Sequence, residues 1–115
     1  ISRTDVLLFG IGTAMRMADQ RHIADDVRKQ LIDNHAVGEA LGQYCDIEGK
    51  LIYSTNNIGL SLPDVAKVPN VIAVAGGQEK ASAIIGVMRA CRKGILIIDE
   101  QAAEGMRQLL QISAL

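Results

Sequence analysis

Apolar positions along this chain fall into two kinds of pattern, short unbroken runs and helical spacings. The runs are Val6-Leu7-Leu8-Phe9, Val71-Ile72-Ala73-Val74-Ala75 and Ile95-Leu96-Ile97-Ile98. Each is too short for a buried helix, and the pattern predicts strands covered on both faces. Between them the spacing changes. Ile23, Val27 and Leu31 recur at i, i+4 and i+8, which predicts a helix near Ala24 to Asn34 with Asp25 and Asp26 in its first turn, where carboxylates favour the helix dipole. A shorter helix is expected from about Ala14 to Gln20. Another, from Glu79 to Ala90, would bury Ile84, Val87 and Met88, and a closing one would run from Gln101 to about Gln111 with Asp99 as its cap. Ser61-Leu62-Pro63-Asp64 combines a capping residue, an early proline and an acid, so a short helix through about Lys67 is expected before Pro69 closes it. From Val37 to Tyr53 the residues turn strand-like around Asp46-Ile47-Glu48-Gly49, with Gly49 free to take positive φ, and predict a β-hairpin.

Strands that alternate with helices imply right-handed crossovers and a parallel sheet. The expected class is therefore α/β, a Rossmann-like sheet of at least three parallel strands with flanking helices and an inserted hairpin. The 115 residues suit one domain with one core. Two tyrosines and one phenylalanine are the only aromatics, so that core must be built from aliphatic side chains. A formal net charge of -1 argues against a stand-alone nucleic-acid binder, which needs a basic surplus to displace counterions. Cys45 and Cys91 have no His or Cys neighbours at metal-ligand spacing and read as small apolar residues in a reducing compartment. No apolar run approaches the ~20 residues that span a bilayer, and the first residues lack the segments of a signal peptide, so a cytoplasmic location is expected. The chain opens without Met and enters a strand almost at once, which reads as a piece of a longer polypeptide.

Ligands of open α/β sheets gather at the carboxyl ends of the strands, near backbone N–H groups and helix N-termini. Three such ends occur here: Gly10-Ile11-Gly12-Thr13, Gly76-Gly77-Gln78-Glu79-Lys80 and Asp99-Glu100. Glycine at the first two would let an anion approach the backbone, although Gly10-x-Gly12-Thr13 also fits a tight turn with Thr13 as a helix cap. Lys80 lies in the first turn of its predicted helix, where a cation opposes the dipole; a bound phosphate would reverse that penalty, and a solvated lysine beside Glu79 is the plainer alternative. Glu39 interrupts the small and apolar segment Ala36-Val37-Gly38-Glu39-Ala40-Leu41-Gly42. It suits either hydrogen bonds from sugar hydroxyls or a structural ion pair. Arg16, Arg21 and His22 follow the first glycine segment, and one guanidinium from there could grip a phosphate. His22 and His35 have no triad context.

In this order and spacing, Asp5-Val6-Leu7-Leu8-Phe9-Gly10-Ile11-Gly12-Thr13, Ala36-Val37-Gly38-Glu39-Ala40-Leu41-Gly42 and Val71-Ile72-Ala73-Val74-Ala75-Gly76-Gly77 with Lys80 resemble the SorC family of bacterial transcription regulators. The resemblance implies an effector domain related in fold to glucosamine-6-phosphate deaminase and ribose-5-phosphate isomerase. It also implies an N-terminal helix-turn-helix domain that contacts operator DNA, and homo-oligomers. This chain would be the C-terminal portion of that effector domain, with the DNA-binding domain and the first half of the effector domain, including another phosphate-binding loop, upstream. By position, Gly12 and Thr13 would line the pocket, Arg21 and Lys80 would meet a phosphate, Glu39 would meet sugar hydroxyls, and Gly76 and Gly77 would let the ligand reach the backbone. The implied effector is fructose-1,6-bisphosphate or a related glycolytic sugar phosphate, sensed without turnover or cofactor. The alternative is a sugar-phosphate isomerase or deaminase with Glu39 or Asp99 as general base, for which no accompanying acid–base set is visible.

Overall fold

The computed structural model describes residues 6–55 and 61–110. Along the chain, β1 (Val6–Gly10), β2 (Gly12–Thr13), α1 (Ala14–Gln20), α2 (Asp25–Asp33), β3 (Gly38–Ala40), β4 (Gln43–Cys45) and β5 (Leu51–Ser54) come first. A 3-10 turn over Pro63–Lys67, β6 (Asn70–Ala75), a second 3-10 turn over Gln78–Lys80, α3 (Ala81–Cys91), β7 (Ile95–Ile98) and α4 (Glu100–Leu110) follow. The expected strands and helices are therefore present. Asp5 and Gln111, which were expected to extend the first strand motif and the last helix, lie outside the described residues.

β1, β6 and β7 form a parallel sheet in the order β1-β6-β7, with Leu8 opposite Ile72 and Ile72 opposite Ile95. Side chains alternate across it. Phe9, Val71, Ala73 and Ala75 are buried with Ala83, Ile84 and Val87 of α3 and Ala102 of α4 in one core cluster. Leu8 and Ile95, in contrast, are 65% and 64% exposed, and Val6, Val74 and Ile97 are exposed as well. The expectation of strands covered on both faces is thus corrected: among the described residues one face is packed. A continuous apolar run encodes suitability for two-sided burial, and the run itself cannot supply the second layer.

The expected hairpin is the outer half of something larger. β2, β3, β4 and β5 form a four-stranded antiparallel sheet in that order, with Gly12 paired to Glu39, Thr13 to Gly38 and Glu39 to Tyr44. Gly12-Thr13 is therefore strand rather than loop, because its backbone groups are taken by β3. Ala40 pairs with Gln43, so Leu41 and Gly42 alone connect β3 to β4. Both have positive φ, 55° and 80°. That is the two-residue connection whose twist matches antiparallel strands. β4 and β5 then pair around the turn at Asp46, whose carboxylate accepts from the N–H groups of Glu48 and Lys50 at 3.0 and 2.9 Å.

The two sheets meet on α3, and glycines set how closely. A Cβ on Gly38 would fall 2.8 Å from the Ala83 carbonyl oxygen, and one on Gly86 would fall 2.5 Å from that of Asp46. A second cluster, centred on Ala14, Ala18, Leu31 and Tyr44, fixes α1 and α2 against the antiparallel sheet. Two boundaries shift from expectation. The residues expected as a short helix from Ser61 form a 3-10 turn, in which the Ser61 hydroxyl donates to Asp64 at 2.8 Å. α3 begins at Ala81, with Lys80 flanking it rather than inside its first turn. Both cysteines are free and buried, and burial pushes the Cys45 thiol up to about 12 and that of Cys91 up to about 11. Among the described residues no helix is long and apolar enough to cross a membrane.

Candidate functional site

A cavity of about 440 Å³ opens where the carboxyl ends of β1 and β6 meet the antiparallel sheet, and Gly12, Met17, Arg21, Glu39, Leu41 and Lys80 are among its walls. Each charged group arrives from a different element. Arg21 stands at the C-terminal cap of α1, Glu39 is the middle residue of β3, and Lys80 joins the second 3-10 turn to α3. Other cavities of similar size lie elsewhere, one of 440 Å³ on mostly apolar walls including Val6, Val71 and Ile95 and one of 430 Å³ near Lys50, Arg89 and Arg92. The first of the three combines cations, a buried carboxylate and strand carboxyl ends, the arrangement that suits an anionic ligand.

Glu39 is only 3% exposed. A buried carboxylate needs partners, and one of its oxygens, Oε2, has two: Arg21 Nη1 at 2.8 Å and the N–H of Gly42, which donates at 2.8 Å. The tight Leu41–Gly42 turn thus folds back on Glu39 and orients it. Its other oxygen, Oε1, lies on the side of Gly12, 4.0 Å from where a Cβ there would stand. The same Cβ would come within 2.8 Å of Met17 Cγ, so a side chain at position 12 would oblige Met17 to shift. Burial pulls the Arg21 pKa down, but the charge and hydrogen bond of Glu39, with a contribution from Tyr44, outweigh it and leave the guanidinium above its ordinary value. Lys80 forms no ion pair among the described residues.

Four of the seven residues expected at the site, Gly12, Arg21, Glu39 and Lys80, therefore share one cavity. Thr13, Gly76 and Gly77 do not contribute to its wall. Thr13 pairs with Gly38 and precedes α1 in extended conformation without a side-chain cap bond. The Gly76-Gly77 segment is occupied by Asp99, whose carboxylate oxygens accept from the Gly77 N–H at 3.1 Å each, while Oδ1 also accepts from the Ala102 N–H at 2.8 Å. A Cβ on Gly76 would stand 2.9 Å from Asp99 Oδ2. Those N–H groups hold the Asp99 carboxyl below its ordinary pKa. Asp99 is thus a cap that ties the end of β6 to α4, a role that takes it away from base chemistry. Tyr44, fully buried and opposite Glu39 across β3 and β4, went unnoticed in the sequence. Its signal was available only as strand alternation, which becomes readable once the Leu41–Gly42 turn is known.

Residues 1–108 match the family described as "Putative sugar-binding domain". The chain belongs to this sugar-binding-domain family of SorC-type regulators. It is 38% identical over 104 residues to the central glycolytic genes regulator of Bacillus subtilis, an alignment that covers 90% of this chain and 31% of that protein. A solved structure described as a "putative SorC family transcriptional regulator" from Enterococcus faecalis superposes with a TM-score of 0.84 at 39% identity, covering 91% of this chain and 43% of that one. The full-length sorbitol operon regulator SorC of Klebsiella pneumoniae gives a TM-score of 0.73 at 27% identity, over 89% of this chain and 33% of that one. The chain thus spans about a third of the length of the curated relative it matches. These relatives are transcription regulators and not enzymes.

Proposed function

We propose that this sugar-binding domain senses a phosphorylated sugar for a bacterial transcription regulator. The observation that carries this reading is the convergence of Arg21, Glu39 and Lys80 from three separate elements on one cavity at the carboxyl ends of the parallel strands. Lys80, without an ion-pair partner among the described residues, offers its ammonium to a phosphate, and Arg21 adds a second cation when the ligand competes with Glu39. The Oε1 side of Glu39 accepts from sugar hydroxyls across Gly12. Fructose-1,6-bisphosphate or a related glycolytic sugar phosphate fits this set of charges. In a longer protein the chain would be the C-terminal part of the effector domain, with a further phosphate loop and a helix-turn-helix domain upstream, acting on operator DNA in the cytoplasm as a homo-oligomer. The effector would act by binding two states of that assembly unequally.

Incubation of the longer effector domain with fructose-1,6-bisphosphate, followed by calorimetry and product analysis, tests this. Saturable binding with the sugar phosphate recovered intact is expected. Turnover would favour an enzyme, and the absence of binding at millimolar concentration would remove the sensing role.

A further inference from the structure

Tyr44 poses a problem that the cavity's charges do not solve. It is fully buried, in a cluster with Ala14, Ala18 and Leu31 that a phenylalanine would fill equally well. Its hydroxyl oxygen is the one buried side-chain polar atom among the described residues without a hydrogen-bond partner. Leaving such a group unsatisfied costs as much as a lost hydrogen bond, and buried orphans of this kind call for an explanation. The ring is held firmly. Tyr53 packs against it with centroids 6.2 Å apart and planes tilted by 48°.

The surroundings supply an explanation. Tyr44 is paired with Glu39 across β3 and β4, so the two side chains project from the same face of the antiparallel sheet. The Arg21 guanidinium acts on the hydroxyl both by charge and as a donor just outside good hydrogen-bond geometry, whereas Glu39 acts on it by charge alone, so the hydroxyl's own proton has no acceptor. Burial raises the phenol above its ordinary pKa, so it carries its proton at neutral pH and can donate. Glu39 Oε2 is meanwhile committed to Arg21 at 2.8 Å, a charge-assisted contact that a neutral hydroxyl cannot displace unaided.

We propose that Tyr44 is a positioning residue of this site, a reserve donor whose hydroxyl takes over the Glu39 carboxylate when an anionic ligand draws Arg21 away. The inference rests on the sugar-phosphate reading for the identity of the anion but not for the exchange of donors. Without a replacement, recruitment of Arg21 would leave Oε2 of a carboxylate that is only 3% exposed with the Gly42 N–H as its one described protein donor. The cost would be charged against ligand affinity. Tyr44 has already lost its water, so a bond from it to Glu39 carries no new desolvation. The hydroxyl's proton is therefore unused in the unliganded protein and given to Glu39 in the liganded one.

A double-mutant cycle tests the exchange without any ligand. Arg21→Met removes the guanidinium at similar length, and the stability cost of Tyr44→Phe is then measured by urea unfolding in the native and Arg21→Met backgrounds. In the native background Tyr44→Phe should leave the midpoint unchanged or raise it. In the Arg21→Met background it should lower the midpoint, because Tyr44 then holds Glu39. Equal effects in both backgrounds overturn the proposal. Titration of the effector domain with fructose-1,6-bisphosphate supplies the second arm, in which Tyr44→Phe should weaken binding by about tenfold, the loss of a single hydrogen bond to a charged group. The chain has two tyrosines and no tryptophan, and in the effector domain the ligand-induced difference spectrum of Tyr53→Phe minus that of the Tyr53→Phe, Tyr44→Phe double variant isolates Tyr44. Its ultraviolet absorption should move to longer wavelength as ligand binds, and an unmoved spectrum at saturation overturns the exchange. Coupling in the cycle without uptake of the sugar phosphate supports the donor role and sinks the sensing role instead.

Discussion

At the scale of single residues, the site separates charges that are free to act from charges already committed. Lys80 is uncommitted among its described neighbours, so Lys80→Ala should weaken sugar-phosphate binding by about 1.5–3 kcal/mol, the range of a charge-assisted hydrogen bond, with little effect on folding. Calorimetry checks this, and an unaltered dissociation constant would take Lys80 out of the site. Glu39 is committed through Oε2, so Glu39→Gln should do two things. It should lower affinity for the sugar phosphate while leaving inorganic phosphate binding intact, and it should cost stability because Arg21 loses its ion pair. Equal losses for both ligands would point to a general electrostatic role. Asp99 carries the pH prediction. Its folded carboxyl lies below the ordinary value, first through the Ala102 N–H and then through that of Gly77. A carboxylate with a depressed folded pKa contributes stability that is fully present above its unfolded pKa, about 3.9, and is lost as pH falls through the folded value. Asp99→Asn should therefore flatten the acid limb of the stability curve below about pH 4, as thermal unfolding at stepped pH would show.

At the scale of elements, the legible and illegible parts of the fold divide along a physical line. The parallel strands and both long helices of the second half were readable because their patterns are local: unbroken apolar runs, and recurrence at helical spacing. The antiparallel sheet was readable only at its outer hairpin. The connection that builds the rest is Leu41-Gly42, where Asn-Gly would have announced a two-residue turn and Leu carries no such signal despite its φ of 55°. The same gap hid Tyr44 and made Gly12-Thr13 look like a loop. Among the candidate site residues, Arg21, Glu39 and Lys80 line one cavity, whereas Gly76 and Gly77 answer to Asp99, a partner 22 residues from Gly77 that composition cannot link to them. Two substitutions probe this level. Gly86→Ala should cost about 1–3 kcal/mol, as overpacking does, because its Cβ would press on the Asp46 carbonyl 2.5 Å away and push the hairpin off α3. Arg92 closes α3 in the left-handed conformation at φ 61°. Arg92→Gly relieves that strain, and because glycine also adds freedom to the unfolded chain, the net gain should be no more than about 1 kcal/mol. Chemical unfolding midpoints decide both, and a stabilised Gly86→Ala would mean that the two sheets are not seated on α3 as closely as described.

At the scale of the whole molecule, the decisive feature is the face of the three-stranded sheet that the described residues leave open. Val6, Leu8, Val74, Ile95 and Ile97 present a contiguous aliphatic surface at 41–65% exposure, and β1 and β7 are both edge strands. Exposed apolar patches and unpaired strand edges each favour association, and a formal net charge of -1 supplies little repulsion to oppose it. Burying five such side chains against a second copy removes apolar surface from water at roughly 25 cal/mol per Å². The 115-residue chain should therefore self-associate at micromolar concentration, and Leu8→Lys or Ile95→Lys, which places a charge in the middle of the patch, should shift it towards monomer. The same chain should fail to shift operator DNA at physiological salt, since it lacks the basic surplus that supplies even non-specific affinity. It should bind fructose-1,6-bisphosphate more weakly than the proposed longer effector domain, because each charge-assisted bond that the proposed upstream phosphate loop contributes would be worth about 1.5–3 kcal/mol, or tenfold and more in affinity. Sedimentation velocity and calorimetry address the two parts separately. A clean monomer across the concentration range would show that the open face does not drive association, and an affinity equal to that of the longer domain would mean that the cavity of Arg21, Glu39 and Lys80 suffices for recognition.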